Sequence, residues 1–205
     1  MRLTAAAAAA SLPLATRAQG AAVEGRDYAR LATPLPMPAT GKVEVVEFFG
    51  YWCPHCNSFE PTLDAWVRKL PADVAFHRVP VAFSAPQEPY AKIFFTLEAM
   101  GLLEQMHRKV FAAIHVQHQH LDKDGEILAF MTANGVDAAK FSETYKSFTV
   151  ASKFKQARQL ADAYRIDGVP TLGIQGRFFT SPSLAGGAEQ ALRVTDQLIQ
   201  RARQG

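Results

Sequence analysis

A short apolar strand that runs straight into a helix, with two cysteines at the junction, constrains this chain more than any other feature. Val43-Glu44-Val45-Val46-Glu47-Phe48-Phe49 is β-branched and aromatic and is bounded by Gly41 and Gly50. That composition predicts a buried strand. Cys53-Pro54-His55-Cys56 follows almost at once. Phe59, Leu63, Trp66, Val67 and Leu70 then recur at helical spacing, so a helix is expected from near Pro54 to near Pro71. Pro54 suits the first helical position, where its missing N–H costs nothing. Val74 to Val79 reads as the next strand and completes a β–α–β unit.

The pattern then turns helical from Pro89 to about Phe148. Phe94, Leu97, Leu102, Leu103, Met106, Val110, Phe111 and Ile114 mark a long stretch with a break near Gly101. Ile127 to Met131 marks a shorter helix ending near Asn134-Gly135, and Asp137 is a candidate cap for another through Phe141 and Tyr145. A further helix is expected over Val150–Tyr164. After it, Gly168 to Ile174 turns into a strand, Gln175-Gly176 makes a tight hairpin, and Arg177-Phe178-Phe179 answers it. Glu189 to Arg203 closes the chain as an amphipathic helix. The expected class is α/β, with a β–α–β part over 42–85, an all-helical insertion over 86–149 and a β–β–α part over 150–205. Residues 21–41, with Pro34, Pro36 and Pro38, are expected to form a loose lead-in.

The 205 residues are 48% hydrophobic, enough for a sizeable core. The net charge of +3 carries no block of like charges, which argues against nucleic-acid binding. Residues 1–20 have the form of a secretory leader: Arg2, an apolar alanine-rich run from Leu3 to Ala15, then small residues that suit cleavage after Gly20 or Ala18. Export would place the two thiols where disulfides form and persist.

Cys53 and Cys56 are the chain's two cysteines. The loop they would close is too small to staple a fold, so the pair reads as chemistry. A thiol attacks a disulfide only as the thiolate. At a helix start, unpaired backbone N–H groups and the positive end of the helix dipole favour an anion on Cys53, and His55 adds a donor or a charge. Stabilising that thiolate stabilises the reduced pair, which makes the oxidised pair a stronger oxidant. His115, His118 and His120 offer three imidazoles, but their spacing matches no zinc motif and they are read as a solvated helix end or loop. Asn at position 57 excludes the haem-attachment pattern. No metal and no cofactor are expected.

Phe48-Phe49-Gly50-Tyr51-Trp52-Cys53-Pro54-His55-Cys56, the helical insertion and Gly168-Val169-Pro170 together resemble the DsbA family of periplasmic disulfide oxidases. The resemblance implies a thioredoxin-like fold with an inserted helical domain, and a strongly acidic cysteine in an oxidising couple. It implies that Cys53 is the attacking thiol and Cys56 the resolving one. It implies a cis Pro170 across from the pair, with Val169 offering its backbone to an extended substrate. It also implies reduced, unfolded exported proteins as substrates, a DsbB-like quinone-linked membrane oxidase as the recharging partner, and action as a soluble periplasmic monomer. Glu47 would be a buried acid beneath the pair that helps move protons. Arg78 stands where many members carry Lys; Arg stays protonated, so an Arg78 pairing would tend to keep Glu47 ionised. Phe, Leu and Met residues between Phe94 and Met106 are expected to be core, a few of them lining an apolar groove for substrate. An isomerase, a specialised reductant and a binding module with a fixed disulfide are the competing readings.

Overall fold

The computed structural model describes residues 20–204, so the expected leader, but for Gly20, lies outside the described residues. Within them, five strands form one mixed sheet in the order β1-β5-β4-β2-β3. The strands are β1 (Ala29–Arg30), β2 (Val43–Phe49), β3 (Val74–Pro80), β4 (Thr171–Ile174) and β5 (Phe178–Thr180). The helices are α1 (Pro54–Val67), α2 (Glu88–Ala99), α3 (Leu103–His115), α4 (Asp124–Ala133), α5 (Ala138–Tyr145), α6 (Phe148–Tyr164), α7 (Pro182–Ala185) and α8 (Ala188–Arg203). β2 pairs parallel with β3 and antiparallel with β4.

All seven residues of β2 are buried, because the strand is central and covered on both faces. Side chains alternate between faces with period two. Val46 and Phe48 pack with Ala161 and Tyr164 of α6 on one face. On the other, Val45 meets Phe59 and Leu63 of α1 and Leu198 of α8. Phe49 joins a cluster with Phe94, Leu97, Met106 and Phe111 of the helical segment. Glu47, between Val45 and Phe49, therefore points into a closed interior. The helical segment shares that core with the cysteines, since Tyr51, Cys53 and Cys56 belong to the same cluster.

Several elements differ from expectation. Helix α1 ends at Val67, and tightened turns (Lys69 N–H to Trp66 O at 2.9 Å, Leu70 N–H to Val67 O at 3.1 Å) lead to Pro71. Helix α6 begins two residues before Val150, because the Ser147 side chain accepts from Val150 N–H and caps the first turn. The boundary drawn between 149 and 150 thus falls inside a helix. The lead-in is not loose. β1 pairs with β5, Tyr28 and Leu31 are buried, and Leu31 N–H and Leu35 N–H each donate at 2.8 Å to the β4–β5 hairpin. A two-residue strand carries no readable period, and the prolines that oppose helix are compatible with an edge strand.

The hairpin itself follows its sequence. Gln175 and Gly176 both have positive φ, 52° and 59°, the requirement of a two-residue type I′ turn. Close packing sets another glycine. A Cβ on Gly173 would lie 2.5 Å from the Tyr164 ring, which is buried and accepts Gly176 N–H through its hydroxyl at 2.8 Å. Gly173→Ala is expected to destabilise the fold by about 1–3 kcal/mol, the usual range for overpacking. Urea denaturation would show this as a lowered midpoint with unchanged slope.

Candidate active site

The thiol pair sits where β2 hands the chain to α1. Cys53 is the N-cap residue of α1 with extended backbone (φ −90°, ψ 118°), Pro54 opens the helix, and Cys56 lies one turn in. Cys53 N–H donates to Gly50 O at 3.0 Å, closing the turn that follows the strand. A Cβ on Gly50 would lie 2.4 Å from the Trp52 ring. Trp52 is held in turn by its indole N–H donating to Val81 O at 3.1 Å. His55 is exposed, and both cysteines are buried, Cys56 fully. Cys53 keeps 3% of its surface, and its Sγ lies 3.4 Å from Val169 O. The Val169–Pro170 peptide bond is cis.

This geometry makes the two sulfurs unequal. The Cys53 thiol falls from the ordinary 9.0 to about 6. The largest cause is the hydrogen bond from Cys56; burial opposes it, and the backbone N–H groups of Cys56 and His55 and the His55 side chain add to it. Burial, and then the neighbouring Cys53, push the Cys56 thiol far above its usual range. Cys53 is thus the thiolate near neutrality and Cys56 the reserve thiol. Alkylation rate against pH is expected to rise through a midpoint near pH 6 from Cys53 alone. A midpoint near the ordinary cysteine value would contradict the helix-terminus arrangement.

Beneath the pair lies a buried charged cluster. Glu47 is fully buried, and parallel register sets Arg78 beside it on β3. Arg78 Nε donates to Glu47 Oε2 at 3.0 Å. Arg78 also donates through Nη2 to Glu60 Oε2 at 3.2 Å and to Asp64 Oδ1 at 2.7 Å. Glu60 is as buried as Glu47. His107 Nε2 of α3 lies 3.3 Å from Glu60 Oε2, at ion-pair separation without hydrogen-bond alignment. His107 Nδ1 meets the Tyr51 hydroxyl at 2.7 Å. Burial and then the Glu60 charge raise Glu47 well above the carboxylate range, against the pull of Arg78. Burial also acts to raise Glu60, but the His107 ring, Arg78 and Arg108 outweigh it and hold Glu60 below the range.

The expected site residues thus fall into two groups. Pro54, His55 and Val169 lie toward solvent around the buried Cys53, Cys56 and Pro170, and Glu47 and Arg78 lie beneath the pair. Arg78 pulls Glu47 toward ionisation, but burial and then the nearby Glu60 charge act against that pull and raise its carboxyl. Glu60, Asp64, Tyr51 and His107 were missed. The signal was present: Cys56, Phe59, Glu60 and Leu63 share one helical stripe, and His107, Val110, Phe111 and Ile114 share another. An acid and a histidine on apolar stripes point to buried partners. His115 was misread as solvated. Its Nε2–H donates to Tyr51 O at 2.7 Å, so α3 grips the active-site turn two residues before Cys53. His118 and His120 are exposed, and no metal-holding group occurs among the described residues.

A cleft of about 550 Å³ opens beside the thiols, lined by His55, Phe59, Gly168, Val169, Pro170 and Pro182 among others. Phe94, Leu97 and Met106 do not line it; they are buried in the core. A larger hollow of about 740 Å³ between α3 and α4 touches neither cysteine.

A strand-to-helix Cys-Pro-His-Cys pair facing a cis-proline loop matches one known group of proteins. The family model of the DSBA-like thioredoxin domain matches residues 44–191. The chain belongs to the DsbA family. It is 42% identical to the thiol:disulfide interchange protein DsbA of Pseudomonas aeruginosa over 179 residues, covering 87% of this chain and 85% of that one. It is also 42% identical to its Bordetella parapertussis counterpart over 206 residues, covering 98% and 96%. The crystal structure of Pseudomonas aeruginosa DsbA superposes with a TM-score of 0.84 at 42% identity, over 87% of this chain and 93% of that one. That of oxidoreductase DsbA from Xylella fastidiosa gives 0.84 at 33%, over 91% and 100%. The DsbA fold, thioredoxin-like with its helical segment, is therefore the fold of this chain. The protein is a thiol:disulfide oxidoreductase.

Proposed function

We propose that the protein donates the Cys53–Cys56 disulfide to reduced, unfolded exported proteins in the periplasm, through a mixed disulfide at Cys53. The observation that carries the direction is the Cys53 thiol at about 6. A thiolate favoured below the ordinary cysteine range carries a favourable free energy that an unperturbed thiol lacks at neutral pH. That energy stabilises the reduced pair and makes its oxidised form the donor. It also makes Cys53 a good leaving group when a second substrate thiolate attacks the mixed disulfide.

The surface chemistry suits such substrates. In this reading Val169 offers its backbone beside Pro170, the cleft next to them receives an extended peptide, and the exposed Phe83, stacked edge-on against Trp52 at 5.9 Å, adds an apolar contact. A loose apolar surface fits chains that lack a fixed shape. The described residues contain no helix long and apolar enough to cross a membrane. In this reading a DsbB-type membrane oxidase recharges the pair, on the pattern of the DsbA relatives. Within the site, Glu47 exchanges a proton with Cys56 as that thiol is made and consumed. The test is oxidation of a reduced, unfolded secretory protein by the purified disulfide form. Stoichiometric transfer supports donation. A Cys53–Cys56 bond that persists in the presence of excess reduced substrate would favour the fixed-disulfide binding module instead.

A further inference from the structure

Two fully buried carboxyl groups share one guanidinium beneath the cysteines. Two carboxylates in one low-dielectric site cannot both ionise without large cost beside a single cation. Which one holds a proton depends on the rest of its surroundings. Glu47, on β2, is faced by Arg78 from β3, by Glu60 and Cys56 from α1, and by Asp64 further along α1. Arg78 is its one cationic neighbour among these. Glu60 is faced by Arg78, by Glu47 and by two further cationic or donor groups on α3, His107 and Arg108. Arg108 Nη1 also lies 3.8 Å from Asp64 Oδ2, which offsets the nearby acid.

The tautomer of His107 follows from Tyr51. Burial and the Glu60 charge keep the Tyr51 phenol protonated, so its O–H donates to His107 Nδ1 at 2.7 Å. The ring proton then sits on Nε2, toward Glu60. Edge-to-face contacts from Phe49, Phe94 and Phe111, with ring centroids 5.2–6.1 Å away, fix the imidazole in that orientation.

We propose that His107 is a positioning residue for the exchange reaction: by holding Nε2 at ion-pair separation, 3.3 Å from Glu60 Oε2, it keeps that carboxylate ionised, so the single proton of the pair rests on Glu47, beneath Cys56. The inference rests on the reading of Glu47 as the group that exchanges a proton with Cys56. When a substrate thiolate attacks Cys53 Sγ, the new S–S bond forms there and the Cys53–Cys56 bond breaks. The electron pair leaves on Cys56 Sγ, which takes the proton from Glu47. On recharging by a partner disulfide, Cys53 attacks first. Cys56 then attacks the mixed disulfide at Cys53 and returns its proton to the Glu47 carboxylate.

Infrared spectroscopy of the disulfide form at neutral pH tests this through the carbonyl band of a protonated, buried carboxyl group. The variants are Glu47→Gln and His107→Phe. Phe keeps the ring packing and removes both nitrogens. The band is expected in the wild type and lost in Glu47→Gln, where Arg78 serves Glu60 without a competing carboxylate; in His107→Phe, where both acids still share Arg78, it is expected to persist at a shifted frequency as the proton moves to Glu60. A band that survives Glu47→Gln overturns the reading of Glu47 itself. A band lost in Glu47→Gln and unshifted in His107→Phe leaves Glu47 in place and overturns the role of His107. His107→Gln, which keeps a donor, is expected to behave as the wild type. Should the Phe variant not fold, carboxyl-carbon NMR of the wild type decides: Glu60 titrating below Glu47 supports the proposal, and the reverse order overturns it.

Discussion

Cys53→Ser is expected to reduce oxidation of a reduced, unfolded protein to the level of the protein-free reaction. The loss is complete because serine cannot form the disulfide that is to be handed over, and the remaining Cys56 is buried with its thiol held protonated. No third cysteine exists in the sequence to take its place. Cys56→Ser makes the instructive comparison. It keeps Cys53 Sγ at the helix N-terminus beside Val169 O, so it is expected to form a mixed disulfide with a substrate or partner disulfide and to stall there, since the resolving thiol is gone. Free-thiol counting in the substrate and non-reducing electrophoresis of the complex read the two outcomes. Cys53→Ser activity above background, or trapping by Cys53→Ser rather than Cys56→Ser, would invert the assigned roles.

Arg78→Met is expected to cost about 3–5 kcal/mol at neutral pH, the range for removing one partner from a buried ionic cluster. Arg78 is the shared donor for Glu47, Glu60 and Asp64, and the first two have no exposure to water. Against a typical total of about 5–15 kcal/mol, the loss is large. Its pH dependence identifies the cause. Without Arg78 the folded-state value of Glu47 rises further above the ordinary 4.5, and that of Glu60, held below it by its cationic neighbours, rises as well. A group whose folded value is raised binds more protons when folded, so its stability is kept at low pH and lost as pH rises. The deficit relative to the wild type is therefore smallest near pH 4.5 and grows toward neutrality. Urea denaturation at both ends of that window measures it. An equal deficit at both would trace the effect to packing, since the Arg78 guanidinium also lies 5.3 Å from the Phe76 ring centroid.

The fold was largely legible because its elements carry strong local signals. β2 is a seven-residue apolar run that the structure reproduces residue for residue, and Asp137 caps α5 by accepting from Lys140 N–H at 2.9 Å. Gln175-Gly176 makes the turn that its residue types demand. The lead-in was misjudged because its ordering is not local. Its partners are Arg177, Gly176 and Gln197, between about 140 and 175 residues away. In the site, the cysteines, the proline after the first of them and the acid on β2 could be named from the sequence. His115 could not be read correctly, because the carbonyl that holds it belongs to Tyr51, 64 residues away.

The sequence by itself determined where the thiol pair lies: Cys53 at a strand-to-helix junction, Cys56 one turn later, and a helix terminus that favours an anion on the first. Local geometry suffices for that, since the hydrogen bonds and dipole involved lie within a few residues. The tertiary structure alone decided the charge balance beneath them. Arg78 could be read as an ion-pair partner for Glu47, but its charge is divided among three acids brought from β2 and α1, and α3 adds His107 and Arg108 on the Glu60 side. Charge balance in a buried site is a sum over every neighbour, and those neighbours come from four separate elements of the chain.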